Sequence, residues 1–285
     1  MSDVLVVPAE HGDLTDYAKR RKYERGDAEL WFHLAETSPN GAWVAKDGPT
    51  AIGVAIAHAL EDEWFLCDLY VEPGFRGQGI GRRLLDEVAK DAGDITRSGL
   101  LDARETGALR FFVRRGVSIH TPVLECAGSI PREEELARMA AGEYRFTTTM
   151  LDPARHRLAL IALDREVRGS GRPLDHEYLA ARAHGVAFFL QDEFVGYAYV
   201  WPNGRVGPLA SSSPAYLVQF FGFSLAALAR VHGAAWCTML LPGPNIRILR
   251  VALAVGLAIE SVRLFASDGA LPDLNRYVGF HPVLF

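Results

Sequence analysis

The first half of the chain sets out an order of apolar runs and punctuating residues that the second half repeats. "GAWVAKDGPTAIGVAIA" is paralleled by "GVAFFLQDEFVGYAYVW", and Gly53 and Gly196 sit alike in the two runs, 143 residues apart. Gly116 and Gly256 each follow a helix-like run and are 140 residues apart. Offsets this similar point to an internal duplication. The chain is then expected to be one small α/β unit built twice, and 285 residues suit two ordinary domains.

Within the first half, "GAWVAKDG" and "TAIGVAIAHAL" read as antiparallel strands joined at Lys46–Pro49. "EWFLCDLYV" is nearly all apolar and reads as a strand buried on both faces. Ile80, Leu84, Val88 and Ala92 recur every four residues, the stripe of a helix. "SGLLDAR" is a further strand, and "GALRFFVRRG" a helix with Leu109, Phe112 and Val113 on one face, stopped by Gly116. "VSIHTPVLECA" closes the half as a strand. The second half follows with "RVGPLA", "PAYLVQFFGFSLAALARVHG", "AAWCTMLL" and "NIRILRVALAVG". The joint is "GSIPREEELARMAAGEY", a charged helical connector whose Glu133–Glu135 run suits a solvated first helical turn. The expected organisation is a first domain over 1–128, a connector over 129–142 and a second domain over 143–285.

Composition narrows the function. The net charge is −5, which argues against a nucleic-acid partner. Cys67, Cys126 and Cys237 lie far apart in apolar surroundings, so neither a disulfide framework nor a metal site is expected. No signal-like start and no membrane-length apolar run is read, and a soluble cytoplasmic protein without membrane partners is expected.

"DLYVEPGFRGQGIGRRLLDEV" places three glycines between a strand and a helix. Backbone N–H groups at such a turn, with the positive end of the helix dipole, bind anions. Gly77, Gly79 and Gly81 remove side chains that would block a phosphate, and Arg76, with Arg82 or Arg83, adds charge. The spacing is neither a dinucleotide fingerprint nor a P-loop.

"LYVEPGFRGQGIGRRLL" closely resembles the acetyl-CoA loop of the Gcn5-related N-acetyltransferases (GNAT), whose pattern Arg/Gln-x-x-Gly-x-Gly/Ala falls here on Arg76-Gly77-Gln78-Gly79-Ile80-Gly81. "ALRFFVRRGV" resembles the family's later helix, and the whole layout resembles its tandem two-domain members. The resemblance implies two α/β (α+β) domains, each a mixed, mostly antiparallel sheet with a V-shaped splay flanked by helices. It implies that the pantetheine of acetyl-CoA lies along Leu69, Tyr70 and Val71, and the diphosphate on Arg76, Gly77, Gln78, Gly79, Ile80, Gly81 and Arg82. Phe111, Phe112 and Arg115 complete the expected cosubstrate site, with no metal.

The implied reaction is direct acetyl transfer to a primary amine of a small-molecule acceptor. Alkyl amines are protonated at neutral pH, so a base must take a proton. Asp68 is the candidate base, with Glu61 and Glu63 as a second route. A backbone N–H near Tyr70 or Val71 is the candidate oxyanion donor. Cys67 reads as a small core residue rather than a nucleophile. Phe112 stands where the family carries a tyrosine that protonates the thiolate, and Glu105 where it carries an asparagine. An alternative is therefore a non-catalytic acyl-CoA sensor. The acceptor is left open among small amines, amino acids, aminoglycosides, polyamines and protein N-termini.

The second half lacks the loop. "ASSSPAYL" replaces it, with Ser213 and Pro214 expected to cap and start a plain helix, the alternative being a residual anion site on Ser211–Ser213. Asn245 matches the family's asparagine, but Ala252 stands at the tyrosine position. A degenerate second domain is expected. "YAYVW" (197–201) reads as strand core, His58, His120 and His184 as surface or satisfied strand residues, and "KRRK" (19–22) as a solvated helix face.

Overall fold

The computed structural model describes the backbone of residues 4–21, 25–38 and 40–285, with side chains outside 20–28. The chain falls into two compact units, Met1–Gly99 and Leu100–Phe285.

The first unit runs β1 (Leu5–Pro8), α1 (His11–Arg21), α2 (Arg25–Thr37), β2 (Ala42–Asp47), β3 (Thr50–Ala59), β4 (Glu63–Val71), a 3-10 turn at Pro73–Phe75, α3 (Ile80–Val88) and the start of β5 (Thr96–Asp102). The strands order β1-β2-β3-β4-β5. All pairs are antiparallel except β4 with β5. β3 lies between two strands and under helices, which is why Ala51–His58 is continuously buried and reads as an unbroken apolar run. α3 turns Ile80, Leu84 and Val88 onto the sheet, each fully or almost fully buried. Each such side chain contributes about 1.5–3 kcal/mol of burial.

Two details of β4 matter for function. Ile56 pairs with Asp68 but Ala57 pairs with Leu66, so Cys67 is the extra residue of a β-bulge. The last β4–β5 pair is Leu66 with Gly99, and β4 runs on through Val71 beyond it.

The second unit continues with the end of β5, α4 (Thr106–Val113), β6 (Ser118–Ser129), α5 (Glu133–Ala140), β7 (Phe146–Met150), α6 (Arg157–Arg168) and α7 (Pro173–Ala180). It then runs β8 (His184–Leu190), β9 (Glu193–Val200), β10 (Val206–Ser211), α8 (Leu217–His232), β11 (Trp236–Pro242), α9 (Ile246–Ala254), β12 (Ala258–Ser267) and β13 (Tyr277–Val278). One antiparallel sheet orders β13-β10-β9-β8-β7. In the other, β6 is antiparallel to both β12 and β11, and β12 adjoins the end of β5. α8 covers the first sheet, with Phe220 stacked on Phe188 at 3.8 Å between ring centroids. The fold is mixed α/β with mostly antiparallel strands.

The duplication is visible residue by residue. Gly53 of β3 pairs with Val71, the last residue of β4, and Gly196 of β9 pairs with Ser211, the last residue of β10. A Cβ on Gly53 would lie 3.1 Å from Leu84 of α3, and one on Gly196 would lie 2.3 Å from Phe220 of α8. Both glycines let the helix that follows the loop press onto the strand. β10 also carries an irregularity, between Val206 and Leu209, as β4 does at Cys67.

Several sequence expectations are corrected. Val113 is 51% exposed, and Phe112 alone of the expected α4 face is fully inside. Ser213 and Pro214 do not start α8, which begins at Leu217 after a turn closed by Tyr216 N–H on the Ser213 carbonyl at 3.2 Å. The Ser213 hydroxyl accepts from Ala215 N–H instead, a local bond that competes with the helix. Glu63, the second route to a base with Glu61, is buried at the start of β4 and accepts a hydrogen bond from Ser98. His58 is buried and bonded to Ser38, a satisfied strand histidine as expected. Of "KRRK", only the Lys19 side chain lies within the described residues, exposed and 3.4 Å from Asp16. Among the described residues no helix is long and apolar enough to cross a membrane.

Candidate active site

The loop is built by the end of one strand and the start of one helix. After Val71 the chain keeps one more strand bond, Glu72 N–H to the Ile52 carbonyl at 2.8 Å, then turns over Pro73–Phe75. Arg76 Nε donates to the Val71 carbonyl at 2.9 Å and ties the loop back to its strand. Gly77 and Gly79 have φ of +79° and +81°, the left-handed region that side-chain-bearing residues enter only at a cost. A Cβ at either would meet nothing within 4 Å, so backbone conformation rather than crowding demands glycine there. Gly81 differs: its φ is ordinary, and a Cβ would touch Val71 at 3.6 Å.

Gly79 is the N-cap of α3, and no side chain caps that helix. Most helices recruit a Ser, Thr, Asp or Asn there. Arg83 N–H donates to the Gly79 carbonyl at 3.1 Å, so the amides of Ile80, Gly81 and Arg82 precede the helical ladder. With the dipole's partial positive charge, this turn suits a diphosphate. The Ile80 side chain is buried, so only its backbone serves such a ligand. Gln78 is exposed, its amide 3.5 Å from the Gly74 carbonyl. Arg82 is exposed beside Asp86. Arg83 is exposed, and its Nη2 donates to the Val4 carbonyl at 3.0 Å.

Upstream, β4 alternates. Val71 faces α3, as its contact at Gly81 shows. Asp68 and Tyr70 occupy the other face, where Tyr17 Oη of α1 donates to Asp68 Oδ2 at 3.2 Å. The Tyr17 and Tyr70 rings lie 5.8 Å apart, and Tyr70 Oη donates to Glu72 at 3.1 Å. Arg76 sits 5.6 Å from the Tyr70 ring centre. Loop and strand residues 68–82 thus form one continuous region of the first unit. Tyr17 escaped the sequence reading, since it is 51 residues from its partner and no local spacing links them. Cys67 is buried with Sγ 3.5 Å from the Phe65 carbonyl, a core residue.

Phe111, Phe112 and Arg115 belong to the second unit. Phe112 is buried, edge-on to Phe111 at 5.2 Å, and the Arg115 guanidinium lies 3.6 Å over Phe111. Arg115 Nη1 also donates to the Phe111 carbonyl. Glu105 precedes α4 without capping it.

The corresponding region of the second half is occupied by its own chain. β10 and β11 meet at a single parallel bridge, Arg205 with Thr238. Beyond it, Leu209 and Ala210 of β10 pair with Val278 and Tyr277 of β13, and Leu240 of β11 bridges Gly279. Asn245, the match to the family's asparagine, donates its side-chain amide to the Tyr277 carbonyl at 3.1 Å. Arg276 bonds Glu166, Asp273 and the Ser212 carbonyl. Ser211 donates to the Ser213 carbonyl and accepts from Ser213 N–H. Ser211 and Ser213, the alternative anion site, are thus bonded to each other.

The sequence profile of the Acetyltransferase (GNAT) family matches residues 11–117. No curated protein sequence matches the chain. Among solved structures, a Pyrococcus horikoshii protein described as a candidate acetyltransferase aligns over 100% of this chain and 96% of its own, with TM-score 0.72 and 15% identity. A tandem GNAT protein from the clavulanic acid biosynthesis pathway aligns over 94% and 99%, with TM-score 0.63 and 15% identity. A GCN5-related N-acetyltransferase from Sphaerobacter thermophilus aligns over 99% and 98%, with TM-score 0.64 and 14% identity. The glycine turn on an uncapped helix lies inside the stretch that matches the GNAT family profile, and the whole chain shares the fold of these acetyltransferase structures, one of them a tandem GNAT protein.

Proposed function

We propose that the protein is an acetyl-CoA-dependent N-acetyltransferase whose active site lies in the first half of the chain. The observation that carries this reading is the pair of left-handed glycines, Gly77 and Gly79, leading into a helix that no side chain caps. That turn supports a diphosphate on the amides of 77–82. The amides of Leu69, Tyr70 and Val71 lie on β4 past its last pair with β5, where a pantetheine arm and a developing oxyanion find donors. Asp68 takes the proton from the ammonium. The amine nitrogen then attacks the thioester carbon, the C–N bond forms, the C–S bond breaks and CoA leaves as thiolate, and the second proton that the nitrogen loses passes through solvent to that thiolate. Tyr17 holds Asp68 and is its positioning residue. The second half binds no CoA on this reading, because β13 takes the strand position between β10 and β11.

Two variants test it. Gly79→Val forces a β-branched residue into a left-handed backbone and should abolish acetyl-CoA binding in calorimetry. Asp68→Asn should keep that affinity while CoA-thiol release from pooled amines falls by about 10²–10⁴-fold. Unchanged turnover in Asp68→Asn removes it as the base. The buried Phe112, in place of a hydroxyl-bearing ring, favours the second reading, an acyl-CoA sensor. Tight CoA binding without thiol release across a broad amine pool would select the sensor.

A further inference from the structure

The pairing of Glu72 with Ile52 carries the strand alternation one residue past β4. Asp68, Tyr70 and Glu72 therefore share one face, the face that α1 covers with Tyr17. Along it the contacts are continuous. Tyr17 Oη lies 3.2 Å from Asp68, the Tyr17 ring 5.8 Å from Tyr70, and Tyr70 Oη 3.1 Å from Glu72. The Trp31 ring stands behind Tyr17 at 5.3 Å. Two carboxylates thus flank a pair of phenol rings at a spacing of about 13 Å along the strand, before their side chains lean inward. The nearby guanidinium of Arg76 is drawn back to the Val71 carbonyl.

Resting on the reading of Asp68 as the base, we propose that the acceptor is an alkyl diamine or longer polyamine. Its reacting nitrogen is deprotonated at Asp68, and a second ammonium is held by Glu72 across the Tyr70 ring. The chemistry follows from the face. A protonated alkyl chain matches carboxylates at its ends and aromatic rings along its length, since ring faces attract cations. An amine that ends in a carboxylate meets like charge at Glu72 and is rejected. A monoamine satisfies only one end. Glu72 is then a specificity-determining residue.

The test compares 1,6-diaminohexane, butylamine and 4-aminobutanoate by CoA-thiol release, with calorimetric titration of the diamine into CoA-loaded protein. The diamine should exceed butylamine by about tenfold in kcat/KM, and 4-aminobutanoate should fall below both. Glu72→Gln should narrow the diamine-to-butylamine ratio to about twofold or less, while acetyl-CoA affinity, measured separately, reports that the fold is intact. Equal or better use of butylamine or 4-aminobutanoate overturns the proposal, as does a ratio that Glu72→Gln leaves intact. Acetyl-CoA binding without diamine binding or turnover at millimolar levels overturns it while leaving the acetyltransferase site standing. Failure to bind acetyl-CoA removes that site and the proposal with it.

Discussion

Asp164 is fully buried, and three groups hold its carboxylate: Arg172 Nε at 3.2 Å, His176 Nε2 at 2.8 Å and Tyr197 Oη at 2.6 Å. Burial alone would raise its carboxyl, but Arg172 and His176, with the bonds from His176 and Tyr197, outweigh that and hold it below the ordinary range. Burial drives the Tyr197 phenol well above its usual value. Removing the carboxylate leaves the buried Arg172 guanidinium uncompensated, so Asp164→Asn should cost about 3–5 kcal/mol in urea unfolding. The pH dependence follows in sign. A carboxyl lowered on folding stabilises above its unfolded value of about 3.9, and that stabilisation is lost as pH falls through the folded value. Between pH 4 and 2 the wild type should therefore lose stability more steeply than Asp164→Asn. Parallel curves would show that the carboxylate is not held as a charge. The sequence exposed the aromatic half of this cluster, since 197–201 alternate as a strand does. It hid the polar half, because Asp164 and His176 come from helices, and Arg172 from the segment between them, that no spacing rule ties to that strand. The same limit applies to the candidate site: the family resemblance pointed to Asp68, but only folding brings Tyr17 to it.

The strand–glycine–helix unit occurs twice, and its two copies are not equally tolerant. A Cβ on Gly53 would stand 3.0 Å from the Tyr70 carbonyl and 3.1 Å from Leu84 Cδ1, a clearance that small shifts relieve. A Cβ on Gly196 would stand 2.5 Å from the Ala210 carbonyl and 2.3 Å from the Phe220 ring, which cannot yield because it is stacked on Phe188. Overpacking of this kind costs about 1–3 kcal/mol, occasionally more. Gly196→Ala should therefore lower the urea midpoint clearly more than Gly53→Ala; equal shifts would mean that α8 slides as freely as α3. Elements with a strong period were readable from sequence, as the stripe of α3 and the apolar run of β3 show. The bulge at Cys67 left no trace, since a bulge changes register without changing composition. α8 began late because the Ser213 hydroxyl found a local partner before the helix needed a cap. β13 is two residues long and carries no pattern at all; only its partners make it a strand.

A duplicated fold need not carry two ligands, and the second half differs from the first in the segment that pairs with its strand ends. β4 leaves β5 after Leu66 and carries the glycine loop beyond it. β10 leaves β11 after one bridge, but Tyr277, Val278 and Gly279 pair with both strands. That segment is anchored on several sides: Asn245 holds the Tyr277 carbonyl, Arg276 reaches Glu166, and the Tyr277 ring lies 5.4 Å from both the Arg168 and Arg172 guanidinium carbons. The main-chain groups that a pantetheine arm would pair with are thus satisfied within the chain, and a ligand would have to displace buried backbone bonds to reach them. Calorimetry should therefore find one CoA equivalent per chain. Gly79→Val should take that value to zero rather than from two to one. A second equivalent that survives Gly79→Val would show that residues 277–279 yield to ligand and that the second half keeps a working site.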